Sequence, residues 1–351
     1  MSALKRLAAP VLLLLAVLAF FLPPMADGRL LAPGDGIAQN FPLRVMAARS
    51  LLAGELPFWN PYHFGGAPLL AVLHAGVFFP LNWTFLVLPP VAAMHVTVLA
   101  TYFLAGGSAY MLARAIALPR VAALVAGLTY MLGGFLVLNQ QHIMMVQVAA
   151  LTPLVLWTIE RFARTGRSAY PLFGTIVVTM QILAGHPQMT AYGLVMAALY
   201  GLWRGVGLPR ERRLPFMGQL AAMFGLGIGL SLAQLLPTID FIRMSQRDAI
   251  PYARLVADTP PLLGLPGMLF SSFLGSRSPS EFLAAPLWPP GPWRWWLQAY
   301  LGLGSLLLAM IALSFWRRQP QVWFWGPLAL VGLLLSMGDQ TPLYRLVAML
   351  P

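Results

Sequence analysis

A bundle of transmembrane α-helices is the fold this sequence predicts, and three observations predict it. Of the 351 residues, 59% are hydrophobic and 9% charged, where a soluble domain carries about 25% charged residues. Apolar runs near the roughly 20 residues that cross a bilayer recur along the whole chain, and mean hydropathy is +0.75. The basic residues, finally, fall in a pattern that only alternating spans explain.

Nine spans are expected, at 8–24, 91–113, 121–138, 144–160, 170–185, 189–203, 217–237, 298–316 and 322–337. The net charge of +12 raises the question of nucleic acid, and its placement answers it. Lys5 and Arg6 precede the first span, and the connectors after even-numbered spans carry Arg114, Arg120, Arg161, Arg164, Arg167, Arg204, Arg210, Arg212, Arg213, Arg317 and Arg318. Thirteen of the 22 Lys and Arg residues thus share one side, in short loops. That is the positive-inside pattern, with a cytoplasmic N-terminus. No nucleic-acid partner is expected. Pro23, Pro24 and Met25 crowd Ala26, a poor signal-cleavage site, so the first segment reads as an uncleaved anchor. The absence of cysteine excludes disulfides and thiol chemistry.

Eight of the ten acidic residues lie on the outer side by this topology: Asp27, Asp35, Glu55, Asp240, Asp248, Asp258, Glu281 and Asp339. Glu160 and Glu211 are inside, each beside arginines. No span carries a charge away from its ends, where one costs on the order of 3 kcal/mol and marks an ion or proton pathway. This argues against an ion-coupled transporter and puts any chemistry at the outer surface.

Two outer loops are long, 25–90 and 238–297, and loops beyond about 15 residues are usually functional or disordered. The first is too apolar for disorder. A helical pattern runs from Asn40 to Ala53, with Pro42 in its first turn and Gly54 as its stop. Phe41, Val45, Ala48 and Leu52 form its apolar stripe, flanked by Arg44 and Arg49, which predicts an interfacial helix. "GVFFPLNWTFLVLP" has the length of a second interfacial or re-entrant helix. Trp59, Tyr62 and Trp83 suit the aromatic belt. "GLGIGLS" at 225–231 reads as tight helix packing.

The first loop also runs "GDGIAQNFPLR…LLAGELPFWNPYHFGGAPLL…FFPLNW". It resembles the YfhO family of bacterial membrane proteins, which carry an acidic residue after the first span and then a G-E-x-P-x-W-N-P segment. "LAGHPQMTAY" at 183–192, "QLLPTIDFIRMSQRDAIPY" at 234–252 and "MGDQTPLYRL" at 337–346 resemble it in the same order. The resemblance implies a GT-C-like glycosyltransferase of the bacterial plasma membrane, in one domain over 1–351. Such enzymes use a polyprenyl-phosphate sugar donor and a catalytic acid in the first outer loop. The acceptor would be a cell-envelope glycan or lipid, as in lipoteichoic acid glycosylation. Family members generally extend further, with more spans. A fragment, a truncated gene and a short variant are the readings of a chain that stops just after "TPLYRLVAMLP".

Sugar transfer needs a carboxylate to take the acceptor proton. Asp35 is placed for that role, although "PGDG" by itself reads first as a turn in which Asp bonds its own backbone. Asp27 is the competing carboxylate, with Arg29 beside it as a neutralising partner. The leaving phosphate calls for arginine, whose fork matches phosphate oxygens: Arg247 in "SQRD" first, then Arg44 and Arg49, with Arg243 and Arg254 nearby. Lipid headgroups compete for each. His186 in "AGHPQ" and His142 in "NQQHIM" are candidates to hydrogen-bond substrate or simply to build their turns. Glu55, Trp59 and Asn60 of the G-E-x-P-x-W-N-P segment complete the binding set, with Glu55 read as capping or orienting the loop. Asp339 in "GDQTP" reads as an Asx-type turn. No metal-ligand spacing is present, and no cofactor or tightly bound metal is expected. A lipid or polysaccharide flippase, and a non-catalytic envelope scaffold, are the alternative functions.

Overall fold

The computed structural model describes residues 3–63, 65–244, 262–270, 273 and 300–348, and among these the regular structure is helical, with one isolated bridge. In chain order the α-helices are α1 (Ala3–Ala26), α2 (Phe41–Leu52), α3 (Thr84–Val87), α4 (Pro90–Ala115), α5 (Arg120–Met131), α6 (Gly134–Leu138), α7 (Ile143–Thr165), α8 (Ala169–Leu183), α9 (Pro187–Val206), α10 (Arg210–Leu230), α11 (Leu232–Arg243), α12 (Leu303–Ser314), α13 (Val322–Ser336) and α14 (Pro342–Ala348). Helix is found in each of the nine expected spans, with 121–138 and 217–237 each divided between two helices. Four stretches, Leu7–Ala26, Pro90–Ala115, Arg120–Leu138 and Gln140–Thr165, are long and apolar enough to cross a bilayer. The number is five if α10 and α11 count as one broken span.

The chain forms two units. One comprises 1–132 with 139–245, the other 133–138 with 246–351. In the second, α12 and α13 are followed by a tight turn at Gly338–Gln340 and then α14. Thr341 Oγ1 closes that turn by donating to the Leu334 carbonyl, 2.7 Å away. Asp339 sits exposed on the turn.

In the first unit α7 is the central helix: 83% of its apolar window is buried, against 17% for α1. A helix apolar on every side must be enclosed by others, and α4, α8 and α9 enclose it. Small residues let the neighbours approach. A side chain at Gly106 would meet Met131, one at Gly193 would meet Gln181, and one at Gly205 would meet Met217. Side-chain hydrogen bonds run between helices, as from Ser108 to the Ala150 carbonyl and from Gln181 Nε2 to Thr152 Oγ1, 2.8 Å. At one end Glu160, 1% exposed, is ion-paired to Arg164 and Arg204 and accepts a 2.7 Å bond from Tyr200. This satisfies a carboxylate whose burial would otherwise be costly. The segments assigned by sequence to the outer side, 27–89, 139–142 and 184–186, gather at the other end.

Three expectations are corrected. The span 217–237 is no straight helix: α10 and α11 meet at Ser231 with a 70° bend. Ser231 Oγ bonds back to the Gly227 carbonyl, 2.8 Å, a contact that bends helices. Of the glycines in "GLGIGLS", Gly227 packs on Val178, whereas Gly225 and Gly229 face open space. The expected stripe of α2 is also rotated. Its buried face is Leu43, Arg44, Ala47 and Ala48, with Leu52 66% exposed. The helix packs Leu43 and Ala47 onto Leu69, Leu70, Ala75 and Val77 of its own loop, and this draws Arg44 inward.

The "GVFFPLNWTFLVLP" segment yields only a 3-10 turn, Pro80–Trp83, and the single-turn α3. Before it, residues 67–79 run without helix yet are largely buried. Such backbone is tolerable away from water only when its polar groups find partners. Here α11 supplies two: Gln234 Nε2 donates to the Leu70 carbonyl at 2.6 Å and Thr238 Oγ1 to that of Ala71 at 3.0 Å. Trp83 Nε1 donates to the Val77 carbonyl at 3.0 Å.

The loop closes against the α8–α9 turn, where Gly185 has φ +94° and a side chain would strike the Leu73 carbonyl oxygen. Gly28 has φ +74° with open space around it. Gly185→Ala should therefore cost more than the ~1–3 kcal/mol of backbone strain alone, and Gly28→Ala only that strain. Thermal unfolding of the two variants in detergent checks the difference; equal losses would show that the Leu73 contact is immaterial.

Candidate functional site

Asp35 opens a π-helical turn, Gly36–Asn40, that runs directly into α2. π-turns concentrate at functional sites because they redirect side chains. The preceding turn closes through its backbone, Gly36 N to the Pro33 carbonyl at 2.8 Å. The Asp35 carboxylate caps nothing in the helix it opens, so the Asx-turn reading does not describe it. Instead Oδ2 lies 3.7 Å from His142 Nε2, with Asp35 55% exposed and His142 19%. Two segments about a hundred residues apart in sequence are bolted together here. Asn40, fully buried, donates through Nδ2 to the Gln141 carbonyl at 2.7 Å and to the Asp35 carbonyl at 3.3 Å. Gln140 Nε2 reaches the Leu31 carbonyl, 3.2 Å. Gly34, with φ +53°, has no room for a side chain against Gln141.

Asp27 differs. It sits just past α1, faces Arg29 at 3.7 Å, and both side chains are largely exposed. An exposed pair of this kind contributes little.

Arg44 lies beneath the Asp35 turn and is 2% exposed. Its Nη1 donates to the Asn40 carbonyl at 3.0 Å and its Nε to Asn82 Oδ1 at 3.2 Å. Asn82 Oδ1 also accepts from Gln147 Nε2 of α7 at 2.9 Å, and its Nδ2 donates to the carbonyls of Ala75 and Gly76. Arg44 pairs with no carboxylate among the described residues, and burial lowers its pKa to about 10. The adjoining cavity, about 10 Å³, has the size of one water and excludes a phosphate. The expectation that Arg44 flanks the helix and meets substrate is thereby corrected: its guanidinium braces the loop.

On the other face of α2 lies a cavity of about 620 Å³, lined by Gln39, Phe41, Met46, Arg49, Ser50, Asn60, Tyr62 and His63 among others. That is the size range of small-molecule sites, which mix apolar walls with a few polar groups. Arg49 is exposed on this wall. Asn60 also shapes the wall: it pairs with Ala67 through both backbone groups, and its Oδ1 accepts from Tyr62 N at 3.0 Å. Trp59, 57% exposed, leaves no room for a side chain at Gly66. Glu55 is exposed, and its backbone N–H, bonded to the Ser50 carbonyl at 2.9 Å, ends α2. Arg247 and Arg254 lie outside the described residues, and Arg243 is an exposed partner of Asp240 at 3.7 Å.

His186 caps α9, its Nδ1 accepting from Met189 N at 3.2 Å. His74 stacks on it with ring centroids 6.4 Å apart. Burial first, then His142, hold the His186 pKa below 6.5, against a raising backbone hydrogen bond. Sequence reasoning singled out neither His74 nor Asn40, Asn82, Gln141 and Gln147. Apolar periodicity carries no sign of such contacts, and only "PLNW" advertised Asn82 as a polar residue between apolar neighbours. Among the described residues no three His, Asp or Glu side chains converge as metal ligands.

No family model matches the chain, and neither a curated protein nor a solved structure does. The resemblance to the YfhO family therefore rests on its motifs alone.

Two predictions follow from this geometry. Asn82→Ala strips a partner from Arg44, Gln147 and two carbonyls together, and should destabilise by about 3 kcal/mol in chemical or thermal unfolding. The second concerns pH. The unfolded chain protonates His186 near 6.5, the folded chain only at lower pH, so folding stability should fall as pH drops below about 6.5. His186→Asn, which keeps a capping oxygen, should flatten that slope in melts between pH 5 and 7.5.

Proposed function

We propose that this chain is a bacterial plasma-membrane glycosyltransferase of GT-C-like architecture, with nine crossings and the Asp35 end at the outer face. It moves a sugar from a polyprenyl-phosphate donor to a cell-envelope glycan or lipid. One observation carries the reading: a half-exposed carboxylate, spent on no cap, opens the helix whose outer face lines a 620 Å³ cavity bearing Arg49. The motif order that resembles the YfhO family supports it.

In this reading Asp35 takes the proton of an acceptor hydroxyl as that oxygen bonds to the anomeric carbon. The bond from carbon to phosphate oxygen breaks, and the polyprenyl phosphate leaves with the electron pair. Arg49 holds the charge that develops on it, as a fixed cation does best where water is scarce. Arg44 contributes indirectly, by keeping the loop in shape. The flippase alternative gains nothing from the buried polar side chains of the spans, since Ser108, Thr152, Thr179 and Gln181 bond to neighbouring helices. Their role is packing.

Transfer of labelled sugar from a polyprenyl-phosphate donor, in membranes carrying the protein, tests the proposal. Asp35→Asn should lower kcat by about 10²–10⁴, Asp27→Asn should leave it within twofold, and Arg49→Gln should raise KM for the donor about tenfold or more. Unchanged transfer in a folded Asp35→Asn protein would remove Asp35 from the mechanism. No transfer by wild type across a panel of donors would favour the scaffold.

A further inference from the structure

We infer that His142 is the positioning residue of Asp35: its imidazole, seated behind the exposed carboxylate, fixes the orientation of the group that meets the acceptor. The inference rests on the reading of Asp35 as the base.

The geometry is built for this pairing. Asp35 and His142 belong to separate turns, and each turn is held by the other. Asn40 Nδ2 is shared between the carbonyls on either side, Gln140 grips Leu31, and the glycines at 34 and 36 admit the Gln141 backbone and side chain to close range. Two hydrogen bonds and two close glycine approaches thus fix where one carboxylate and one imidazole meet. An arrangement that only had to close a loop would not require the two titratable groups to face each other at 3.7 Å.

Burial orders their roles. Asp35 is the more open partner, able to reach an acceptor; His142 is mostly covered. Although it stands at the N-terminus of α7, His142 makes no side-chain cap there, so capping does not account for its imidazole. His186 does not compete for the carboxylate. It spends Nδ1 on Met189 N and stacks on His74, and burial lowers its pKa. Asp35 and His186 both bear on His142. A carboxylate so paired gains a fixed aim, and a misaimed base loses rate steeply.

The test uses the whole protein in detergent micelles with isotope-labelled histidine. The His142 resonance is assigned by its loss in His142→Gln, and its titration midpoint is compared in wild type and Asp35→Asn. Losing the carboxylate should lower the midpoint by about half a pH unit to one pH unit, and Asp27→Asn should not move it. An unmoved midpoint in Asp35→Asn overturns the pairing whatever the transfer assay shows. The kinetic arm uses labelled-sugar transfer from the polyprenyl-phosphate donor. His142→Ala should lower kcat about tenfold with KM unchanged, and His142→Gln, which keeps a donor N–H, should recover most of the rate. A shifted midpoint with full kcat in a folded His142→Ala protein overturns the positioning role. A shifted midpoint with no transfer from any donor keeps the pair and overturns the sugar-transfer reading on which its purpose rests.

Discussion

The side-chain amide of Asn82 is the contact on which the Asp35 end of the first unit depends. It bonds four groups at once: two carbonyls of the buried irregular loop, the Arg44 guanidinium of α2, and Gln147 of the central helix. Each would be expensive to bury alone. Carbonyls without partners cost a few kcal/mol apiece, and a guanidinium without acceptors costs more. One amide, offering both donors and both lone pairs, gives each of these groups a partner, while Arg44 Nη2 and Gln147 Oε1 stay buried without a hydrogen bond. This also explains how a charged residue is tolerated on the inward face of α2. Its partners are neutral oxygens, which keep the cation without adding the desolvation of a carboxylate.

The consequence reaches Asp35 by a short chain of bonds. Asn82 holds Arg44, Arg44 holds the Asn40 carbonyl, and the Asn40 amide holds both Gln141 and Asp35. A carboxylate on a glycine-rich turn would ordinarily sample many orientations. Here its backbone is tied to the most enclosed helix of the unit. That is how a flexible sequence becomes a fixed site, and why the cavity beside Arg49 has a rigid wall.

Much of this was legible in the sequence, and the remainder shows where one-dimensional patterns stop. All nine apolar runs hold helices, because long apolar runs admit few other solutions. α2 begins and ends within a residue or so of the positions marked by Pro42 and Gly54, with Gly54 at φ +79° as a helix stop requires. The face it buries was misread, because an arginine was taken to mark a wet face and only tertiary packing shows that Asn82 and Asn40 await it. The bend at Ser231 was hidden by the hydrophobicity of the surrounding run. Asp35, His142 and His186 were each singled out separately. That they gather at one end was readable from topology; that the first two face each other was not, since nothing in "PGDG" or "NQQHIM" encodes the other.

The bonds from Gln234 and Thr238 to the loop also set an order of events during synthesis. Gln234 lies 164 residues downstream of the Leu70 carbonyl it satisfies. At roughly 5–20 residues per second, the ribosome delivers the loop on the order of ten to thirty seconds before it delivers the helix that completes it. Through that interval the carbonyls of Leu70 and Ala71 must keep water as their partner, so the loop has to wait hydrated at the membrane surface. The turn carrying Asp35 can be pinned by α7 well before then. This region is thus assembled in two instalments, the Asp35 turn first and the buried loop last.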